Sequence, residues 1–285
     1  VNFVAIKLLY REVTPAAASV ARMVPMWLIL VAICLWQKEP LTVPKEDRFK
    51  TYFQGFLSLG VYMIFFFEGL ARTGGAEGSV LLTTSPIWTA LIAMLVRQEE
   101  FRPMVLIGAV TAFFGAALVI WGRAVDVQNT AASQEHLFGV GLVLTSALIW
   151  AWTTVISKPL LHRISPIRML AVSAPASLLV LLPYGLVPAM NTQWSAVTPT
   201  AWFLLFHITV LAGVVGFIGF YAGVKQVGAP GAMLYQYFVP PLAALLEWAV
   251  IGKTLQPIQF LGFGIIVVGV WTASRFRQHR ITESN

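Results

Sequence analysis

Charged side chains are scarce in this sequence, and a few of them stand where none is expected. Lys7, Arg22, Glu68 and Glu247 lie within long apolar stretches, and Lys158 lies at the end of another. Ionisable groups in such segments are costly and mark substrate paths or gates. Their signs are complementary, so pairs among the first four can form a gate; the plainer reading has Lys7 and Glu247 reaching back to lipid headgroups. Pro86 and the pair Pro240-Pro241 fall near the middle of two further apolar stretches. Each proline leaves the carbonyl four residues earlier without its helical donor, here those of Leu82, Gln236 and Tyr237. A substrate ammonium is one partner for these carbonyls; Thr83, Thr84, Ser85 or water is another.

Aromatic residues supply a second kind of chemistry. Tyr235, Gln236 and Tyr237 sit about one turn before the Pro240 break, and rings at 235 and 237 point about 200° apart on a helix. One of the two therefore faces a cavity. Trp88 and Trp150 offer surfaces on which an aromatic substrate can stack, although ordinary helix packing uses the same residues. Catalytic chemistry finds no foothold. Gly252-Lys253-Thr254 resembles the end of a phosphate loop, but the required first glycine falls at 247, where Glu247 stands. No HExxH, CxxC or GxSxG is present, and the four histidines are scattered. No enzyme activity, metal or cofactor is expected.

The elements that must hold these residues are membrane spans. Of 285 residues, 58% are hydrophobic and 11% charged, against about 25% charged in a soluble domain. Residues 103–122, 136–157, 226–246 and 254–274 contain no Asp, Glu, Lys or Arg, and each run matches the roughly 20 apolar residues needed to cross a bilayer. The expected spans are 1–11, 15–36, 51–71, 76–97, 103–122, 137–158, 165–188, 199–224, 229–250 and 255–274. The first is short, as if part of it preceded Val1. The pattern predicts an all-α integral membrane protein of ten transmembrane helices.

Lys and Arg set the orientation. With the N-terminus inside, thirteen basic residues fall in cytoplasmic segments and five outside, so both termini are expected to be cytoplasmic, in an inner (plasma) membrane of bacterial type. Lys7, Arg22, Glu68 and Glu247 then share the outer half of the bilayer. Lys158 lies at similar depth to Lys7 on the opposite face, as an inner gate, a carboxylate-binding group or a positive-inside anchor. The basic residues are spread over many loops, so a nucleic-acid partner is not implied.

The halves repeat. An offset of 151 places Lys7 on Lys158 and Pro15 on Pro166; an offset of 154 places Pro86 on Pro240, Gly108 on Gly262 and Gly115 on Gly269. Five spans per half make the second copy upside-down relative to the first, giving repeats over residues 1–127 and 128–285. Inverted repeats are the recurrent construction of secondary transporters.

NFVAIKLLYREVTPAAASVAR, GLARTGGAEGSVLLTTSPIWTALIAML and GVKQVGAPGAMLYQYFVPPLAALLE resemble segments of the EamA-type drug/metabolite transporter superfamily. Within it the chain is most similar in aromatic content to the YddG-type aromatic amino-acid exporters. The resemblance implies two inverted five-helix repeats around a central cavity lined by spans one, three, four, six, eight and nine. It also implies export of small metabolites, amino acids above all, by alternating access. Efflux of hydrophobic drugs or cations is the competing transport reading, and would favour a carboxylate in the cavity; a non-transporting scaffold or intramembrane enzyme is the competing class. The substrate, the coupling ion and the oligomeric state are not legible. Ser173 stands where the repeat offset would place a second Arg22, so that arginine is not duplicated.

Overall fold

A hydroxyl residue followed by proline opens three of the apolar segments. Thr14, Ser165 and Thr198 each accept a hydrogen bond from the backbone N–H three residues on, at 3.3, 3.1 and 3.3 Å. The proline that follows occupies a first-turn position whose N–H would have no helical partner anyway. The computed structural model describes residues 2–73, 75–99, 103–124, 134–239, 241, 242, 245 and 256–278. Pro240, Glu247 and the expected boundary between the halves at 127/128 lie outside the described residues.

In chain order the helices are α1 (Asn2–Leu9), α2 (Pro15–Trp36), α3 (Arg48–Gly55), α4 (Tyr62–Arg72), α5 (Gly75–Leu82), α6 (Ser85–Leu95), α7 (Pro103–Ala124), α8 (Gln134–Arg163), α9 (Pro166–Asn191), α10 (Pro199–Phe206), α11 (Phe217–Leu234) and α12 (Pro257–Gln278). Two π-helical stretches, Phe56–Val61 and His207–Gly216, join α3 to α4 and α10 to α11. No strand occurs among the described residues. Six segments are long and apolar enough to cross a membrane: Pro15–Trp36, Lys45–Arg72, Gly78–Leu95, Gln134–Arg163, Pro166–Asn191 and Pro199–Phe238. Pro103–Val119 and Pro257–Ala273 are shorter apolar helices. The expected division between spans eight and nine, 224/229, falls at Gly228, whose φ of 70° interrupts the helix in a conformation that glycine alone adopts without strain.

Glycine governs the closest helix contact. A methyl group on Gly108 would stand 2.6 Å from the Gly269 carbonyl oxygen, and one on Gly115 would stand 2.8 Å from that of Gly262. So α7 and α12 run antiparallel with backbone against backbone, through the four glycines that the offset of 154 makes equivalent. Helices α2 and α9 also pack antiparallel: Gly185 lies against Ala16, and the Trp27 indole donates to the Ala171 carbonyl at 3.1 Å. In lipid, where no hydrophobic force drives helices together, such small-residue contacts supply much of the association energy. Gly115→Val is expected to lower the unfolding midpoint of the purified protein in detergent, the overpacking costing about 1–3 kcal/mol. Gly264→Ala, where a methyl group meets open space, should leave the midpoint at or slightly above that of the unaltered chain.

Candidate functional site

Arg22 points from α2 toward α4 and is 5% exposed. Its Nη1 lies 3.5 Å from the Met63 sulfur and its Nη2 lies 3.8 Å from the Met26 sulfur, one turn along the same helix. The guanidinium carbon stands 5.6 Å from the centre of the Phe67 ring. Nη2 also faces Gly213 in the second π-helical stretch, 3.3 Å from where a Cβ would be. Thioether sulfurs are weak acceptors, and Nε has no hydrogen-bond partner. Among the described residues no carboxylate pairs with Arg22.

An aromatic group adjoins it. Trp150 of α8 is 6% exposed, with ring centroids at 5.2 Å to Tyr62, 5.5 Å to Phe217, 4.8 Å to Phe220 and 6.2 Å to Tyr221. These distances are those of offset and edge-to-face pairing. Tyr221 reaches across to α3, where Gln54 Nε2 donates to its hydroxyl at 2.7 Å and to Ser58 at 3.0 Å. Buried polar atoms without a hydrogen-bond partner gather in this region: Arg22 Nε, Trp150 Nε1, Gln54 Oε1 and Thr51 Oγ1. Orphaned groups are rare in folded proteins and each calls for an explanation; the Arg22 Nε and Trp150 Nε1 donors and the Gln54 Oε1 acceptor are what a small polar ligand would satisfy.

The prolines resolve differently from the sequence expectation. Pro86 does not sit inside a helix but in the first turn of α6, after a break at Thr83 and Thr84. Thr83, Thr84 and Ser85 donate to the carbonyls of Val80, Leu81 and Leu82 at 2.6, 2.7 and 2.5 Å. The freed Leu82 carbonyl thus accepts a hydrogen bond from Ser85 of its own segment. A 3-10 turn, Tyr235–Phe238, occupies the corresponding place in the second half, before the buried Pro241.

Other expected site residues separate. Trp88 is 40% exposed and Tyr235 61% exposed, whereas Tyr237 is fully buried beside α7 and α12; Gln236 is half-buried. Glu68 is not brought to Arg22. It takes a hydrogen bond from Arg72 and another from Tyr184, and Lys7 donates to the Ala71 carbonyl at 3.2 Å. At the opposite end Lys158 pairs with Glu99 at 3.0 Å, Arg163 pairs with Glu46 and Asp47, Ser165 donates to Glu39 and Arg168 donates to the Thr42 carbonyl. Both ends therefore carry ties between the first half of the chain and the second. Gln54, Tyr62, Phe217 and Tyr221 were missed in the sequence. The signal was available: Gln54 and Ser58 are polar residues one turn apart in an apolar span, and a scan for ionisable groups passes over them.

With described residues that are mostly helical, several membrane-length segments and a polar–aromatic centre enclosed between them, the chain is a multi-pass membrane protein. Residues 1–121 and 137–275 match the EamA-like transporter family, and the chain belongs to that family; its general role is transport. Relatives include the uncharacterized transporter YoaV of Bacillus subtilis, 27% identical over 95% of this chain and 90% of the relative. YetK of the same organism, also named an uncharacterized transporter, is 22% identical over 86% and 73%. A probable terminal-alkyne amino-acid exporter of Streptantibioticus cattleyicolor is 22% identical over 78% and 71%. A solved crystal structure superposes with a TM-score of 0.77 over 97% of this chain and 95% of that one, at 17% identity; the likeness is one of fold.

One tie outside the spans is pH-sensitive. Glu12 accepts from the Thr198 backbone N–H at 2.8 Å and from its hydroxyl at 2.7 Å, and these bonds, the backbone one first, hold its carboxyl below the usual carboxylate range. The lowered value means the contact is present above that range and is lost as pH falls through the lowered value. Amide exchange at Thr198 should be protected at neutral pH and accelerate relative to the intrinsic rate only on acidification; Glu12→Ala should remove the protection at neutral pH. Within the centre, Tyr221→Phe deprives Gln54 of a partner and should cost about 1–2 kcal/mol of stability, read as a lower unfolding midpoint.

Proposed function

We propose that this protein is a secondary transporter that exports small metabolites, with amino acids and particularly aromatic ones as its substrates, by alternating access. Its ten spans form two inverted-topology five-helix repeats, in an inner (plasma) membrane of bacterial type with both termini cytoplasmic. One observation carries the reading: the polar–aromatic centre takes Arg22, Gln54 and Tyr62 from the first half and Trp150, Gly213 and Tyr221 from the second. A site at the junction of two equivalent halves is where inverted-repeat transporters bind substrate.

The antiparallel crossings of α2 with α9 and of α7 with α12 support the repeat, as does the helix break near Pro86 and its counterpart before Pro241. Rocking one half against the other would break the end ties in turn: Glu12 with Thr198 and Glu68 with Tyr184 on the outer side, Glu99 with Lys158 and Asp47 with Arg163 on the inner. Lys7, Glu68 and Lys158 then serve as gate residues, and Thr83, Pro86 and Pro241 shape a break beside the path. Export of an amino acid by a relative supports the substrate class. Efflux of organic cations would place a carboxylate at the centre; among the described residues the buried charges are Arg22 and Asp47, and Asp47 is spoken for by Arg163.

Flux into proteoliposomes, measured with a panel of amino acids with and without a pH gradient, tests the proposal. Aromatic amino acids should move fastest, and Trp150→Phe should raise their KM about two- to twelvefold, the equivalent of one aromatic contact of about 0.5–1.5 kcal/mol. Flux of other metabolites without aromatic amino acids would overturn the substrate class; no flux of any small molecule would overturn transport.

A further inference from the structure

The arginine at the centre has more donors than partners. Arginine cannot shed its proton in a protein, so Arg22 keeps its charge while buried. The sulfurs of Met26 and Met63 and the face of Phe67 provide only weak compensation, and Nε is left without a partner. An uncompensated buried charge is strongly unfavourable. A cage of soft, uncharged neighbours around a fork-shaped cation is suited to an anion that comes and goes. The fork geometry matches a carboxylate, which it can hold through two parallel hydrogen bonds.

Arg22 and Trp150 are contacted by neighbouring residues on two different helices. Met63 touches Arg22 and the adjacent Tyr62 stacks near Trp150; Gly213 abuts Arg22, and Phe217, one turn further on, packs edge-on against Trp150. The guanidinium and the indole therefore lie beside the same two stretches of chain, as the carboxylate end and the ring end of one small ligand require. Gln54 Oε1, buried and unpartnered, is a neutral acceptor nearby and not a counter-charge for an ammonium. Resting on the transport reading above, we propose that Arg22 is the carboxylate clamp of the substrate site, and that the carboxylate and not the ammonium is the recognised end. Arylalkanoates lacking an amino group are therefore ligands, and arylalkylamines lacking a carboxylate are not.

The test uses the full chain in proteoliposomes, with labelled L-phenylalanine as the moving species and 3-phenylpropanoate or 2-phenylethylamine as competitors. 3-Phenylpropanoate should compete at least about tenfold better than 2-phenylethylamine. Arg22→Gln should abolish that preference, Arg22→Lys should retain part of it, and Lys225→Gln, which removes an exposed cation, should leave it intact. Thermal stabilisation of each purified, monodisperse variant by 3-phenylpropanoate, against equal sodium chloride, reads the same site without flux. The clamp is overturned if the amine competes equally, if Arg22→Gln keeps the preference, if Lys225→Gln removes it, or if chloride stabilises as well as the carboxylate. Absence of all flux with Arg22-dependent stabilisation by 3-phenylpropanoate would sink the transport reading and leave the clamp standing; flux without Arg22 dependence does the reverse.

Discussion

A guanidinium surrounded by hydrocarbon, thioether and aromatic groups sets the terms for everything around it. Its charge is permanent, so the surroundings must supply electron density, from sulfur lone pairs and ring faces, or take it from a ligand. Arg22 obtains two sulfurs and one ring, and Gly213 lets a second helix close over it without a side chain between them. The neighbouring Trp150 cluster then closes the apolar side, and Gln54 with Tyr221 the polar side. The two π-helical stretches lie at this centre, Phe56–Val61 beside Gln54 and His207–Gly216 against Arg22. Such irregular turns concentrate at functional sites, and backbone irregularity at membrane depth survives only where protein or a wet cavity meets it.

The same need to satisfy every polar group explains the scaffold. Three consecutive hydroxyls at Thr83, Thr84 and Ser85 close the carbonyls exposed where α5 gives way to α6. Helices α7 and α12 meet through glycines whose backbones touch, and the loops at each end are fastened by carboxylates, hydroxyls and carbonyls from opposite halves. At the centre, Gln54 with Tyr221 and Tyr62 with Trp150 join residues from the first and second parts of the chain.

Much of this was legible in the sequence. Low charge and apolar length pointed to a multi-pass membrane protein, and six membrane-length segments stand among the described residues, because length and hydropathy are one-dimensional properties. The glycines that match at an offset of 154 proved to be the ones in contact, since a residue that must be small is fixed by sequence alone. Arg22 was picked out by its depth in a span, but its neighbours were not, because sequence gives depth and sign and not direction around the helix axis. Glu68 lies in another span at comparable depth, yet its carboxylate turns to Arg72 on its own helix and to Tyr184. At Pro86 the sequence left two partners open for the freed carbonyl, a ligand or the hydroxyls before it, and Ser85 donates to it. Trp88 and Trp150 looked equivalent, and only packing separated the exposed ring from the buried one.

The central claim is that the Arg22–Trp150 centre is a substrate site reached in turn from either side of the membrane. Met63→Cys in a Cys34→Ser background places a thiol beside the guanidinium, where membrane-impermeant reagents can report access from each face separately. The account predicts labelling from both faces at rates that shift in opposite directions as substrate is supplied on one side, with saturating substrate slowing both. A thiol that stays unreactive from both faces, or reacts at rates indifferent to any small molecule, would contradict it.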